Sequence, residues 1–186
     1  MLSRSRHITN NVRPIVRPED LKGIKLRVPG GVWRVKMFQA YGASPSPMEL
    51  KEVFVALQTG VMDAQENPLA QIYPSRFHEV QKYLSMTGHV YTPAWLTAGV
   101  SWERLPPDVR KTLEETAVDM EPVALQIAAK LDDELLGKMK QAGIAVNEAD
   151  KAAFVAASKT IYTEFAKEVP GGQALIDKAL SLSKGS

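Results

Sequence analysis

Apolar positions along the chain follow two rhythms, every second residue in short runs and every third or fourth in longer ones, which predicts strands and helices in turn. Ile24-Lys25-Leu26-Arg27-Val28-Pro29 alternates apolar and basic residues and predicts a strand that ends at Pro29. Pro18 to Gly23 ahead of it predicts a helical turn. After it, Gly30-Gly31 opens a helix carrying Val32, Val35, Phe38 and Gln39 as far as Gly42. Strand, turn and helix in that order make an α/β unit. Pro47 to Gly60 repeats the helical spacing through Leu50, Val53, Phe54 and Leu57, with Glu49 and Glu52 where the helix dipole favours acids. The polar run Asp63-Ala64-Gln65-Glu66-Asn67-Pro68 then breaks the pattern. Pro68 biases Asn67 toward extended backbone, and the expectation is a site loop emerging from a buried helix.

Gln81 to Met86 and Tyr91 to Ser101 predict two strands. From Leu105-Pro106-Pro107 a long helix is expected to reach Gly143, with Leu113, Ala117, Met120, Ala124, Ile127, Leu131 and Leu135 forming a core stripe and Pro122 kinking it. The stripe is too short and interrupted for a coiled coil. Gly143 to Val146 predicts a short strand, Asn147 an N-cap, Glu148 to Val169 a helix and Gly172 to Leu182 a terminal helix. There is no internal repeat and no low-complexity segment. The extended segment Arg6-His7-Ile8-Thr9-Asn10 comes almost at once, with no leading element to pair it, which predicts that the chain begins inside a longer domain.

Composition narrows the function classes. The 186 residues are 45% hydrophobic and 24% charged, enough to bury a core, and the net charge of +2 is spread without a basic block, which argues against nucleic acid. The absence of cysteine excludes disulfides, thiol nucleophiles and thiolate metal sites. No apolar run is long enough to span a bilayer, and Met1-Leu2-Ser3-Arg4-Ser5-Arg6 lacks the apolar stretch of a signal peptide. His7, His78 and His89 have no metal-site spacing, and neither a metal nor a cofactor is expected.

Five segments in register carry a resemblance: Arg6-His7-Ile8-Thr9-Asn10, Asp20 to Pro29, Gly42-Ala43, Glu52 to Gly60, and Asp63 to Pro68. Together with Glu79 to Leu84 and Thr87-Gly88-His89 they resemble the DctP family of TRAP-transporter solute-binding proteins, over nearly the whole chain but without that family's N-terminal lobe. The resemblance implies a periplasmic-binding-protein-like, two-lobed α/β fold, here mainly one α/β lobe plus C-terminal helices. Residues 11–101 would form the ligand-binding lobe and 102–186 the long hinge-spanning helix and the C-terminal helices. It also implies a periplasmic location, TRAP membrane subunits as partners, and binding of a small carboxylate rather than catalysis. Arg27 matches the arginine that meets the substrate carboxylate and Asn67 the asparagine that closes on it. Arg6 matches a second arginine, with a spacing that includes an extra residue, and Leu50 stands where relatives often place an aromatic ring.

A guanidinium suits this task because its parallel N–H donors match a carboxylate edge and it stays charged at physiological pH. By residue type alone, Arg27 also reads as an ion-pair partner of Glu52 or Glu66, and Asn67 as a turn residue. Trp33 and Trp95 read as packing residues, although relatives use the Trp95 segment to line the cleft. Asp63 and Glu66 form a conceivable acid/base pair, but no nucleophile, phosphate loop or metal motif accompanies them. A third alternative is a fragment that does not bind ligand and exposes the surfaces a missing lobe would cover.

Overall fold

The structure, a computed structural model, describes residues 2–183, with side chains from Ser5 to Leu182. Met1 and residues 184–186, the ends of the expected 1–186 span, lie outside the described residues. The strands are β1 (Leu2–Asn10), β2 (Lys25–Val28), β3 (Ser44–Pro47), β4 (Ala64–Asn67), β5 (Tyr83–Ala94) and β6 (Ala145–Glu148). They form one sheet in the order β3-β2-β4-β1-β5-β6. β1 runs antiparallel to both neighbours, while β2 is parallel to β3 and β4, and β5 to β6. The opening segment therefore has partners on both sides.

The helices are α1 (Val32–Ala40), α2 (Leu50–Gln58), α3 (Leu69–Ile72), α4 (Pro107–Gln141), α5 (Lys151–Ala157), α6 (Lys159–Glu168) and α7 (Gly172–Ser183). They cover both faces. One core joins Ile8, Leu26, Val28 and Ala64 of the sheet to Phe38 of α1 and Phe154 of α5. The other joins Leu84 and Ile144 to Val53 and Leu57 of α2, Ile72 of α3, and Leu135 and Met139 of α4. Gly23 and Gly42, both at positive φ, end the Pro18–Leu21 turn and α1 side by side, where the Gly23 amide donates to the Gly42 carbonyl at 3.2 Å.

Several expectations need correction. Asp63 to Pro68 is not a loop: β4 is a central strand, buried at all four positions. Its polar side chains satisfy one another, Gln65 Nε2 donating to Thr9 Oγ1 at 2.8 Å and Asn67 Nδ2 to Gln65 Oε1 at 2.6 Å, so polarity here does not imply solvent. β3, Ser-Pro-Ser-Pro, escaped the pattern because it is an edge strand, where prolines without N–H groups cost no ladder bond. The two strands expected over 81–86 and 91–101 are one, β5, which stops at Ala94.

Asn147 caps no helix; it lies in β6, accepting from Ser85 Oγ and donating to the Ile15 carbonyl, and Asp150 caps α5 instead. The expected Glu148–Val169 helix breaks at Ser158, whose hydroxyl bonds Tyr41 and the Phe154 carbonyl. α4 runs for 35 residues, through Pro122, a length of about 50 Å. Its stripe is core only toward its C-terminal end: Leu135 is buried, but Met120 is 50% and Ile127 58% exposed. Trp33 packs edge-on against Phe165, whereas Trp95, just past β5, is 69% exposed rather than packed.

Candidate functional site

The carboxyl ends of parallel strands leave a crevice where loops and helix starts converge, a common place for ligands in α/β folds. Here β3, β2 and β4 end together. Arg27 lies near the end of β2 and Asn67 ends β4. Arg34 stands in the first turn of the helix after β2, and Leu50, 38% exposed, begins the helix after β3.

Arg27 is 3% exposed and pairs in register with Gln65. Its Nε and Nη2 donate to the Met48 carbonyl at 2.8 and 2.5 Å, tying β2 to the segment that leads into α2. Among the described residues it has no ion pair and Nη1 has no hydrogen-bond partner. Burial lowers its pKa from the ordinary value, while Glu66 pulls it up and Arg6 pushes it down. The guanidinium is thus a desolvated cation held by a neutral carbonyl.

Arg6, on the other side of β4, is bound differently. Its Nε donates to Glu66 Oε2 at 2.5 Å, and its Nη2 reaches Glu66 Oε1 at 3.0 Å, the Glu66 carbonyl at 2.7 Å and Asn67 Oδ1 at 2.9 Å. Glu66, 0% exposed, also accepts Arg34 Nη1 on both oxygens at 3.0 Å and meets His89 Nε2 at 3.1 Å. Burial would raise the Glu66 carboxyl, but hydrogen bonds from His89 and Arg6 hold it below the ordinary glutamate value. Burial lowers the pKa of His89, more than Glu66 restores it, so the ring is neutral near pH 7. The partners then set the tautomer: Nε2–H donates to Glu66, and Nδ1 accepts from the Thr87 hydroxyl at 2.7 Å.

The expected residues Arg27, Asn67 and Arg6 therefore meet at one edge, with Leu50 beside them on α2. Arg6, hydrogen-bonded to Asn67, borders a concavity of about 270 Å³ formed with Pro68, Ala70, Gln71 and Thr92 to Ala94, and Asn67 is not among its lining residues. Arg27 is not among its lining residues. Asp63 and Glu66 do not act as a pair. Asp63 accepts from the Lys25 amide at 2.9 Å, while Glu66 is enclosed by cations.

Glu66, His89 and Arg34 are central here and were not singled out for this role from sequence. The signal for Arg34 was present: it stands four residues before Phe38, so a charge projects from the apolar face of α1. Among the described residues no group of three or more His, Asp or Glu could hold a metal ion, and no helix is long and apolar enough to cross a membrane.

The sequence matches the DctP family, bacterial extracellular solute-binding protein family 7, over residues 4–168. This chain belongs to the DctP family. Its relatives include the 2,3-diketo-L-gulonate-binding periplasmic protein YiaO of Escherichia coli, 33% identical over 92% of this chain and 53% of that protein. The sialic acid-binding periplasmic protein SiaP of Vibrio cholerae is 34% identical over 96% of this chain and 55% of its own length. A TRAP periplasmic solute-binding protein of Chromohalobacter salexigens, solved with bound D-glucuronate, superimposes with a TM-score of 0.90 at 32% identity, covering 95% of this chain and 60% of that one. The chain spans about half the length of the relatives it matches. The DctP relatives are binding proteins with the periplasmic-binding-protein fold, and the α/β sheet described above is part of that fold.

Proposed function

We propose that this DctP-family chain is the extracytoplasmic binding component of a TRAP-type transporter, acting in the periplasm without cofactor or catalysis. It grips a small carboxylate, an organic or sugar acid, and delivers it to membrane subunits. The single observation that carries this reading is Arg27, a buried cation at a strand end whose nearest fixed partner is the Met48 carbonyl. An incoming carboxylate would supply the missing counter-charge. Asn67 would close on the same anion, Leu50 would give apolar contact, and Arg6, held by Glu66, would fix the geometry around it. In this division residues 11–101, with Arg6 of β1 ahead of them, supply the ligand-facing strands and 102–186 the spanning helix. The acids held by the solved relatives, D-glucuronate and in another case L-galactonate, make sugar acids the first class to try.

A charge-assisted hydrogen bond contributes about 1.5–3 kcal/mol, so two of them supply about half of a micromolar binding free energy. The remainder would come from other contacts and from closure around the ligand. Calorimetry with a panel of uronic, aldonic, sialic and C4-dicarboxylic acids tests the reading. One acid should bind, and its heat should vanish in Arg27→Ala; binding that survives this change in a folded variant contradicts it.

A second reading, an interaction fragment that holds no ligand alone, is favoured by one feature. Trp95 and Leu96 are exposed and line an open groove with Leu113 and Ala117 of the first half of α4. Light scattering separates the two: concentration-dependent association without ligand binding supports the fragment, and a monomer that binds acid supports the transporter component.

A further inference from the structure

The charges around β4 do not balance. Among the described residues Glu66 is the only buried carboxylate that meets Arg6 and Arg34, and both of its oxygens are occupied by them and by His89. His89 is neutral and Arg27 has no ion pair among the described residues. Three guanidinia therefore face one buried negative charge. Glu49 also attracts Arg27, but it is exposed, and its pull acts through screening solvent. The second surplus belongs to Arg34, half-buried with its side chain 21% exposed, which uses only Nη1 among the described residues, leaving Nε and Nη2 without protein partners there.

The two surplus cations also differ in place. Side chains alternate along a strand, so Arg27, level with Gln65, stands on the opposite face of the sheet from Glu66 and the Arg34 that binds it. Both are at the same edge, Arg27 near the end of β2 and Arg34 in the first turn of α1. A compact ligand with one carboxylate can answer one of them. An extended acid with a carboxylate at each end can answer both across the edge.

Resting on the carboxylate-binding reading, we propose that Arg34 is a second ligand-contacting residue and that the preferred ligand is a dianion of the sugar-diacid class. Arg27 takes one carboxylate and Arg34 the other. D-Glucuronate and D-glucarate share a six-carbon skeleton and differ by one carboxylate, which makes them the probes. Calorimetry on the 186-residue chain should show glucarate binding about tenfold or more tighter than glucuronate. In Arg34→Gln that ratio should collapse toward one, with glucarate losing far more affinity than glucuronate, and Arg34→Lys should restore part of it. Thermal unfolding of both variants confirms that the fold persists. Glucuronate binding as tightly as glucarate, or Arg34→Gln weakening both equally, overturns the inference and leaves the carboxylate reading standing. Failure of the folded protein to bind either acid also overturns the inference, and the carboxylate reading falls only if the wider acid panel fails with it.

Discussion

Arg6 and Arg27 approach β4 from its two neighbouring strands, yet only Arg6 finds its counter-charge there. Arg6 is neutralised by Glu66 through its Nε and Nη2, as part of a cluster in which every member is bound to another. Arg27 has a carbonyl and no acid among the described residues. A buried charge without a partner is costly, so a fold that keeps one has a use for it outside its own stability. The comparison separates a structural arginine from a functional one by what surrounds each, which residue type alone could not do.

The contrast breaks first at Arg6. Arg6→Ala leaves Glu66 with one fewer cation in a dry site and should destabilise the protein by about 3–5 kcal/mol, read from urea unfolding. Arg27→Ala removes an unpaired charge and should change stability by no more than about 1 kcal/mol in the same assay. Equal losses would erase the distinction. A parallel contrast runs along α4, where Met139 is buried and Ile127 is 58% exposed. Met139→Ala should cost about 2–5 kcal/mol. Ile127→Ala should stay within about 0.5 kcal/mol.

The buried network also predicts a pH dependence. His7, whose Nδ1 accepts from the Gly88 amide at 3.2 Å, has its pKa lowered from 6.5 to about 4, by burial first and then by His89 and Lys151. A depressed histidine pKa means the unfolded chain binds the extra proton more readily, so stability is full above about pH 6.5 and falls as pH drops toward 4. The loss from His7 amounts to about 3 kcal/mol. His89, lowered in the same direction, adds to it. The Glu66 contribution, from a lowered carboxyl, disappears only below the ordinary glutamate range. Urea unfolding at pH 7 and pH 4.5 reads the fall, which should be smaller in His7→Gln.

Much of this architecture was legible in the sequence. The strand ending at Pro29, the helix opened by Gly31 and the 35-residue helix lie where periodicity placed them. What stayed hidden depended on partners distant in sequence. Gln65, Glu66 and Asn67 look like a loop because polar residues usually face water, and only Thr9, Arg6, Arg34 and His89 converging on them make a buried polar strand possible. The α4 stripe read as core throughout because helical spacing records which face is apolar, not what covers it.

The most direct test of the account is NMR of the arginine side-chain Nε–Hε resonances, assigned with Arg6→Lys and Arg27→Lys variants, during titration with D-glucuronate. The account predicts that the Arg27 resonance shifts as the acid binds while the Arg6 resonance, already fixed on Glu66, stays close to its free position. Saturable binding that leaves Arg27 unmoved would contradict it.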